Sequence, residues 1–391
     1  MPTFDFDQII SRADTASEKW DGREAYFGRA DVTPLWVADM DFAAPPEVTA
    51  ALVARAQHPV YGYTMADAAV YSSLIDWLDR QFGWQVERDW IVLTPGVVPS
   101  IYAAVQAMTQ PGQGVIVQPP VYAPFFSAVT ANGRALLQNP LRLEHGRYLM
   151  DFAQLEQCAQ QGAKLLLLCS PHNPVGRVWQ RDELETLLNI ARRYRLAVFS
   201  DEIHADLIYP EYRHTPLATL ARDGDVMITA VAPSKTFNIP GLGLSALIIP
   251  DAGVRQTMVA AFASLHVHST NPFSLTAFTA AYRHGGEWRD ALMLYLRDTR
   301  DAVMQYLALH LPRIRTIAPE GTYLLWLDCR ELGMSDAQLQ AFFVQQCRLG
   351  MNPGHVFGQG GSGFMRLNLA SPRAVVLAAL ARVAIALDKK C

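Results

Sequence analysis

The sequence has few of the features that mark disulfide-rich or metal-binding proteins. Only five of its 391 residues are cysteines. They are scattered, odd in number and without the paired spacing of a metal site, so we expect reduced thiols, as in a cytoplasm, and no bound metal. The cysteines are Cys158, Cys169, Cys329, Cys347 and Cys391.

Charge and long apolar runs are scarce as well. The formal net charge is −4, and no basic stripe is present, so nucleic acid is not an expected partner. The apolar run 165–169 is too short to span a membrane. Residues 1–5 carry an acid rather than a basic region before an apolar core, so no secretory signal is expected and a cytoplasmic protein is predicted.

Half of the residues are apolar, and the length suggests two or three domains around large cores. Residues 1–44 show few helical periods, which predicts an irregular aromatic arm. Beyond it, apolar strands alternate with helical patterns, which predicts one parallel or mixed sheet covered by helices over most of 45–280. A second alternation after Gly285 predicts a smaller α+β domain, with helices at 288–311, 336–348 and 372–389 and strands at 314–317, 322–328 and 364–369.

One lysine stands in an unusual place. Lys235 lies in the segment APSKTFN at 232–238, directly after the apolar run 226–231. An ammonium at the end of a buried strand is costly to desolvate unless something compensates it. Such a lysine can have a lowered pKa and form a Schiff base with a carbonyl cofactor, pyridoxal phosphate (PLP) being the leading candidate. The alternative is a loop lysine that points into water.

Two more polar side chains follow apolar strands. Asn173 comes after the strand 164–169, and Asp201 after the strand 196–199. Ligands of open parallel sheets bind outside the carboxyl ends of the strands, so Asn173, Asp201 and Lys235 could meet in one crevice. PLP needs this set, because a buried carboxylate keeps its pyridine nitrogen protonated and an amide can donate to its ring oxygen.

With these residues in view, the sequence resembles the fold-type I PLP enzymes of the aminotransferase class I and II group. Within that group it is similar to the MalY/PatB cystathionine β-lyases, also called C–S lyases. The resemblance extends from residue 36 to residue 369, so it covers nearly the whole chain. The motifs that carry it are WVADMDF (36–42), YGY (61–63), SPHNPVG (170–176), SDEIHAD (200–206), SKTFN (234–238) and PEGTY (319–323).

The resemblance implies a PLP-dependent transferase-like α/β fold. Its large domain would have a mostly parallel central sheet covered by helices. It places an N-terminal arm at 1–44, which packs with the small domain, the large PLP-binding domain at 45–285, and a small α+β domain at 286–391. It also puts Ala38 beside the substrate. The first tyrosine of the YGY motif, Tyr61, would reach the cofactor phosphate of a second subunit, so a homodimer is expected.

A phosphate seat is predicted where the strand 90–93 meets a glycine turn and a helix. The free N–H groups of a helix start attract a phosphate, so Gly96, Val97 and Val98 would form the cradle, with a hydroxyl from Ser234. Many relatives have an arginine eight residues after the lysine, but Gly243 stands there in this sequence. Tyr61 is the candidate that meets part of the phosphate charge instead.

Two ring-bearing residues are further candidates. Tyr122 lies between two prolines in a stiff loop, where it could pack in the core or, as the resemblance implies, stack on the pyridine ring. His204 stands three residues after Asp201, where many relatives have a tyrosine that touches the ring oxygen of PLP. It could donate to that oxygen, orient Asp201, or be an ordinary core histidine.

Arg366 is a charge within the apolar strand 364–369. A buried ion pair would explain it, but a guanidinium also suits bidentate capture of a carboxylate. By resemblance, Arg366 binds the α-carboxylate of an amino-acid substrate, which is the small-molecule partner that we expect.

The resemblance to the lyase group favours α,β-elimination from cystathionine or a cysteine derivative, with Lys235 as the general base, to give a thiol, pyruvate and ammonia. The same residues could carry out transamination, so an aminotransferase is the alternative. A third hypothesis is a regulatory protein that docks on a transcription factor, although no docking patch is visible in the sequence.

Overall fold

The structure is a computed structural model that describes residues 4–267 and 271–389. Residues 1–3 of the predicted arm and Cys391 therefore lie outside the described part. The helices are α1 (Glu18–Asp21), α2 (Arg23–Phe27), α3 (Pro46–Gln57), α4 (Ala68–Phe82), α5 (Val97–Met108), α6 (Pro124–Ala131), α7 (Phe152–Gln160), α8 (Arg181–Tyr194), α9 (Pro233–Thr236), α10 (Ala252–Ser264), α11 (Pro272–His284), α12 (Gly286–His310), α13 (Asp336–Ala341) and α14 (Arg373–Asp388).

The strands of the described residues form one large sheet, one small sheet and two strand pairs. They are β1 (Thr33–Pro34), β2 (Ile91–Thr94), β3 (Gly114–Val117), β4 (Ala135–Gln138), β5 (Arg142–Glu144), β6 (Arg147–Leu149), β7 (Ala163–Cys169), β8 (Ala197–Asp201), β9 (Met227–Val231), β10 (Ser245–Ile248), β11 (Arg315–Thr316), β12 (Leu324–Asp328), β13 (Leu349–Gly350), β14 (Asn352–Pro353) and β15 (Phe364–Asn368).

The central sheet has seven strands in the order β2-β10-β9-β8-β7-β3-β4. The strands from β9 to β4 are parallel to their neighbours, whereas β10 runs antiparallel to both β2 and β9. Strands β3, β7, β8, β9 and β10 are almost entirely buried, as expected for a sheet covered on both faces. This confirms the predicted α/β fold with a mostly parallel sheet, although β10 is not among the strands that the sequence predicts.

The second sheet is antiparallel, with the order β11-β12-β15-β14. It packs with α12, α13 and α14 around its own apolar core. In the predicted arm, β1 pairs with β13 near this sheet. The predicted boundaries at 44/45 and 285/286 stay predictions.

Local capping explains several helix boundaries. The Asp67 side chain accepts a hydrogen bond from Val70 N–H at the start of α4, and Gly83, with φ of 63°, ends that helix. Gln180 and Glu183 form a capping box at the start of α8.

Two sequence predictions differ from the structure. The helix predicted for 336–348 ends as an α-helix at Ala341 and continues as a π-helical turn at Phe342–Gln346. The arm predicted to be irregular contains α1 and α2, which are too short to give a periodic signal. Among the described helices, none combines the length and the apolar character that crossing a membrane requires.

Candidate active site

A cavity of about 1040 Å³ opens at the carboxyl ends of the parallel strands. Its walls come from residues 36–44 of the arm, from the loops after β2, β3, β7, β8 and β9, and from β15. This is the edge of the sheet where a ligand of an open α/β fold is expected. Of the predicted site residues, it brings together Ala38, Gly96, Val97, Val98, Tyr122, Asn173, Asp201, His204, Ser234, Lys235 and Arg366.

Lys235 lies in α9, immediately after β9. Its Nζ donates a hydrogen bond of 2.7 Å to the carbonyl oxygen of Ala38. Burial and, to a smaller extent, the nearby Arg366 guanidinium lower the pKa of Lys235 to about 8. The lysine is therefore partly an uncharged amine near neutral pH, which is the form that acts as a nucleophile or base.

Hydrogen bonds to Asp206 anchor the helical turn that carries Lys235. Thr236 Oγ1 donates to Asp206 Oδ2 at 2.9 Å, and Trp77 Nε1 donates to Asp206 Oδ1 at 2.9 Å. All three anchoring side chains are buried. Lys235 therefore extends into the cavity from a rigid base.

Asp201 is the last residue of β8 and is buried. Within the described part of the chain, its side chain has a single hydrogen bond, which Oδ1 accepts from Ile203 N–H at 3.1 Å. Burial raises the pKa of Asp201 to about 7, although the Ile203 N–H and the charge of Lys235 oppose the change. A buried carboxylate without a positively charged partner favours a cationic ligand, such as a protonated ring nitrogen.

Arg366 projects from β15 and is buried, and it contacts neutral acceptors. Its Nη1 donates to Asn173 Oδ1 at 3.0 Å, and its Nη2 donates to Trp36 O at 2.8 Å and to Asn352 Oδ1 at 2.7 Å. Its Nε has no partner among the described residues. Burial lowers the pKa of Arg366 to about 10. Among the described residues, no carboxylate forms an ion pair with it. An anionic ligand would balance the charge of Arg366.

Tyr122 and His204 lie on the walls of the cavity. Tyr122 is 36% exposed, and partial burial raises its pKa. Burial lowers the pKa of His204 to about 3, so the ring is neutral, and its Nδ1 has no partner among the described residues. No hydrogen bond joins His204 to Asp201 in this part of the chain, so the structure gives no support to the predicted orienting role. The His204 ring lies instead edge-to-face against Tyr323, with centroids 6.0 Å apart.

The predicted phosphate seat forms the start of α5. The first N–H groups of a helix have no intrahelical partner, and Val97 and Val98 provide two of them at the cavity wall. Pro99 contributes no N–H to the seat. The backbone of Gly96 is extended, with φ of 168°, so this position does not require glycine for its conformation. Ser234 lies on the same wall.

Tyr61 does not line this cavity. It is 56% exposed, its hydroxyl donates to Ala56 O at 2.8 Å, and its ring lies beside Phe273, with centroids 5.7 Å apart. Within one chain, Tyr61 is therefore separate from the other predicted site residues. Its predicted role requires a second chain.

The residues that fix the strip 36–42 above the cavity are not among those that the sequence predicts. Asn238 and Asn368 bind backbone groups of this strip, and Tyr323 donates to the carbonyl of Ala38. A group that we call the ion cluster, made of Arg12, Lys19, Asp39 and Asp41, holds it from the other side. Asn238, Tyr323, Asp39 and Asp41 lie in or beside the motifs, but nothing in their pattern showed what they bind.

PLP fits the donor set of this cavity. The amine of Lys235 suits an aldehyde, the buried carboxylate of Asp201 lacks a cation, and the start of α5 offers N–H groups to a phosphate. Asn173 accepts through Oδ1, and its Nδ2 has no acceptor within the described residues, so it can donate to a ring oxygen. The neutral contacts of Arg366 leave its charge available to a second anion.

Comparisons with known proteins agree with this geometry. A sequence model of the family described as aminotransferase class I and II matches residues 30–383. The chain is 42% identical to cystathionine β-lyase PatB of Bacillus subtilis, over 98% of this chain and 100% of that protein. It is 33% identical to protein MalY of Escherichia coli, over 95% of each chain.

A solved structure extends the comparison to three dimensions. Cystalysin of Treponema denticola, whose crystal structure contains pyridoxal 5′-phosphate, superposes with a TM-score of 0.97 at 36% identity, over 100% of each chain. These matches confirm the family predicted from the sequence motifs. The chain belongs to the aminotransferase class I and II family, in the group that includes PatB and MalY.

Proposed function

We propose that the protein is a PLP-dependent C–S β-lyase, which converts cystathionine or a related cysteine thioether to a thiol, pyruvate and ammonia. The observation that carries the proposal is the 42% identity to a cystathionine β-lyase over its full length. The cavity supports it, because Lys235, Asp201 and Arg366 supply an amine, an acid and a carboxylate receptor at one edge of the sheet.

Different residues of the cavity would bind different parts of the cofactor. Asp201 would hold the proton on the pyridine nitrogen, Asn173 would donate to the ring oxygen, and Tyr122 would stack on the ring. The N–H groups of residues 96–98 and the Ser234 hydroxyl would bind the phosphate. When bound, PLP supplies a protonated pyridine ring that takes up the electron pair left at Cα of the substrate.

Arg366 and Lys235 act on the amino acid itself. Arg366 would bind the α-carboxylate and fix the orientation of the Cα–H bond. The uncharged amine of Lys235 would take the proton from Cα, and the resulting ammonium would return a proton to the thiolate that leaves Cβ. The remaining enamine takes up water to give pyruvate and ammonia, so the reaction consumes no oxidant and no keto acid.

An aminotransferase is the second candidate, because the matching family takes its name from that activity. The two reactions use the same residues and differ in where Lys235 returns the proton. Incubation with cystathionine, PLP and no keto acid separates them. The lyase proposal predicts steady release of pyruvate that is lost in a Lys235→Ala variant, whereas turnover that strictly requires a keto acid would contradict it.

We also propose a homodimer in which Tyr61 completes the site of the partner subunit. The segment around Tyr61 supports this, since it exposes several large apolar side chains that a partner could cover. They are Val60, Tyr61, Tyr63 and Met65, which are 63%, 56%, 112% and 87% exposed.

The cytoplasm is the proposed compartment, because the four described cysteines are free.

Subunit mixing tests the shared site. A Tyr61→Ala variant and a Lys235→Ala variant are each expected to be nearly inactive. A mixed dimer would contain one site with both native residues, so refolding an equal mixture should restore roughly a quarter of the native activity under random pairing. If Tyr61 served its own chain, every site would lack one residue and the mixture would stay inactive.

A further inference from the structure

The carbonyl oxygen of Ala38 accepts two hydrogen bonds inside the cavity wall. Lys235 Nζ donates at 2.7 Å, and Tyr323 Oη donates at 2.8 Å. The two donors come from different parts of the fold, since Lys235 follows β9 of the large sheet and Tyr323 precedes β12 of the small sheet. One oxygen therefore joins the lysine to the tyrosine.

The neighbouring backbone groups leave this oxygen little freedom. Asn368 Nδ2 donates to the carbonyls of Val37 and Asp39, each at 2.7 Å. Asn238 accepts from Met40 N–H at 2.9 Å and donates to the Met40 carbonyl at 3.0 Å. Because the carbonyls on both sides of Ala38 are bound, its own carbonyl has a fixed direction, toward Lys235 and Tyr323.

Tyr323 is suited to act as a permanent donor. Its side chain is completely buried, and burial raises its pKa, so the hydroxyl keeps its proton at any pH at which the enzyme works. Backbone hydrogen bonds hold its chain on both sides, from Thr322 N–H to Leu207 O at 2.7 Å and from Leu369 N–H to Tyr323 O at 2.8 Å. The backbone that carries the tyrosine is therefore fixed on both sides.

We propose that Tyr323 is a positioning residue for Lys235, acting through the carbonyl of Ala38. The tyrosine aims this oxygen so that the amine donates one N–H to it and turns its lone pair toward the cleft. By occupying part of the oxygen's accepting capacity, the tyrosine also limits how strongly the carbonyl stabilises the ammonium form. This inference rests on the proposed role of Lys235 as the base that takes the Cα proton.

The physical reason is the competition between two donors for one acceptor. A carbonyl with a single donor binds an ammonium more strongly than it binds a neutral amine, because the hydrogen bond is charge-assisted. A second donor on the same oxygen draws on the same electron density and weakens that preference. Removing the tyrosine hydroxyl should therefore raise the pKa of Lys235 and leave its lone pair less well directed.

A Tyr323→Phe variant tests the inference in the holoenzyme, with Tyr148→Phe as the matched control. The Tyr148 side chain is also buried, and its hydroxyl accepts a hydrogen bond from Trp326 Nε1 at 3.0 Å, but among the described residues it makes no hydrogen bond to Ala38 or Lys235. In Tyr323→Phe, kcat should fall about fivefold while KM changes less than about twofold. With α-deuterated cystathionine, the isotope effect on kcat should rise in this variant and stay native in the control.

A second measurement does not depend on turnover. The rate at which a small acylating reagent modifies Lys235 in the cofactor-free protein, read by mass spectrometry against pH, gives the midpoint of amine titration. This midpoint should rise by roughly half a unit in Tyr323→Phe and not in Tyr148→Phe. Replacing Tyr323 by 3-fluorotyrosine, a stronger donor of similar size, should lower it.

Equal kcat, isotope effect and titration midpoint in Tyr323→Phe and Tyr148→Phe would overturn the inference. So would a shift of the same sign for phenylalanine and 3-fluorotyrosine at position 323, because that pattern reports a general packing change. A protein that releases no pyruvate from cystathionine at all defeats the proposed function instead, and the titration of Lys235 then still decides whether Tyr323 controls the amine.

Discussion

Two neighbouring groups of charges in this protein have opposite arrangements. In the ion cluster, Arg12 lies 2.6 Å from Asp39 and 2.9 Å from Asp41, and Lys19 lies 2.9 Å from Asp41. In the neighbouring active-site cavity, by contrast, no partner of opposite charge lies within 4.0 Å of Lys235, Asp201 or Arg366 among the described residues. Their hydrogen bonds go to neutral groups instead.

The pKa values follow this difference. Burial alone would raise the pKa of Asp41, but Lys19, Trp20 and Arg12 outweigh it and keep that pKa below its ordinary value. In the cleft, burial prevails and shifts the pKa of Asp201 up to about 7 and that of Lys235 down to about 8. Paired buried charges stabilise the strip above the site, whereas the unpaired ones are left for ligands to satisfy.

Removing the amine of the cleft should have the largest effect. A Lys235→Ala variant loses both the cofactor attachment and the proposed base, so kcat/KM for cystathionine should fall at least about 10³-fold. The free energy of unfolding of the cofactor-free variant should not fall, because the lost side chain was an incompletely compensated charge. Residual activity near the native level would contradict the proposed role of Lys235. A large loss of stability would show that its charge is compensated in the folded chain.

Breaking the ion cluster should instead destabilise the protein. An Asp41→Asn variant leaves the fully buried Lys19 with a weaker partner, since Asp39 is 3.6 Å away, so we expect a loss of ~3 kcal/mol in denaturant unfolding. The control is Asp31→Asn in the exposed Arg29 pair, where solvent screening should make the loss much smaller. If both variants lost the same free energy of unfolding, the ion cluster would stabilise the protein no more than an exposed ion pair does.

Arg366→Lys tests the anion site of the cleft. Lysine cannot make two parallel hydrogen bonds to a carboxylate or keep the contacts with Asn173 and Asn352, so kcat/KM should fall roughly 30-fold, which is ~2 kcal/mol. Arg330→Lys alters a half-exposed arginine of the same domain that already binds Asp328, and it should change kcat/KM less than about twofold. Similar losses in both variants would exclude a specific role for Arg366.

The last expected effect is a gain in stability that depends on pH. Asp201 has a pKa of about 7 in the folded chain against 3.8 as a free group, so the folded state binds more protons between these values. Its burial therefore costs nothing near pH 3.8, and the cost grows until pH 7. In the cofactor-free protein, Asp201→Asn should raise the free energy of unfolding above pH 7, by at most the ~4 kcal/mol that a pKa shift of this size corresponds to, and by almost nothing near pH 3.8. With PLP bound, the same variant should be less stable than the native enzyme, because the pyridine nitrogen loses its anionic partner.

The polar residues of the cavity could be predicted from the sequence better than the residues that hold the strip 36–42 in place. Asn173, Asp201 and Lys235 each follow a buried strand, and parallel strands bring their carboxyl ends to one edge, so their meeting could be inferred from position alone. The fold class followed from the same alternation of strands and helices.

The ion cluster could not be inferred in this way. Arg12 and Lys19 lie in an arm whose helices are four and five residues long, so no periodic pattern indicates which side chains turn inward. Tyr323 looks like an ordinary core residue before a strand, and its hydrogen bond to Ala38 joins positions 285 residues apart. Such pairings depend on tertiary packing.

The most direct test of the account is to locate the cofactor. The purified chain is loaded with PLP, reduced with borohydride, digested and sequenced by mass spectrometry. If Lys235 binds the cofactor, a visible-edge absorption band should be lost, with about one cofactor mass per chain on the peptide that carries Lys235. A modified lysine elsewhere, or an unmodified chain whose band survives reduction, would contradict it.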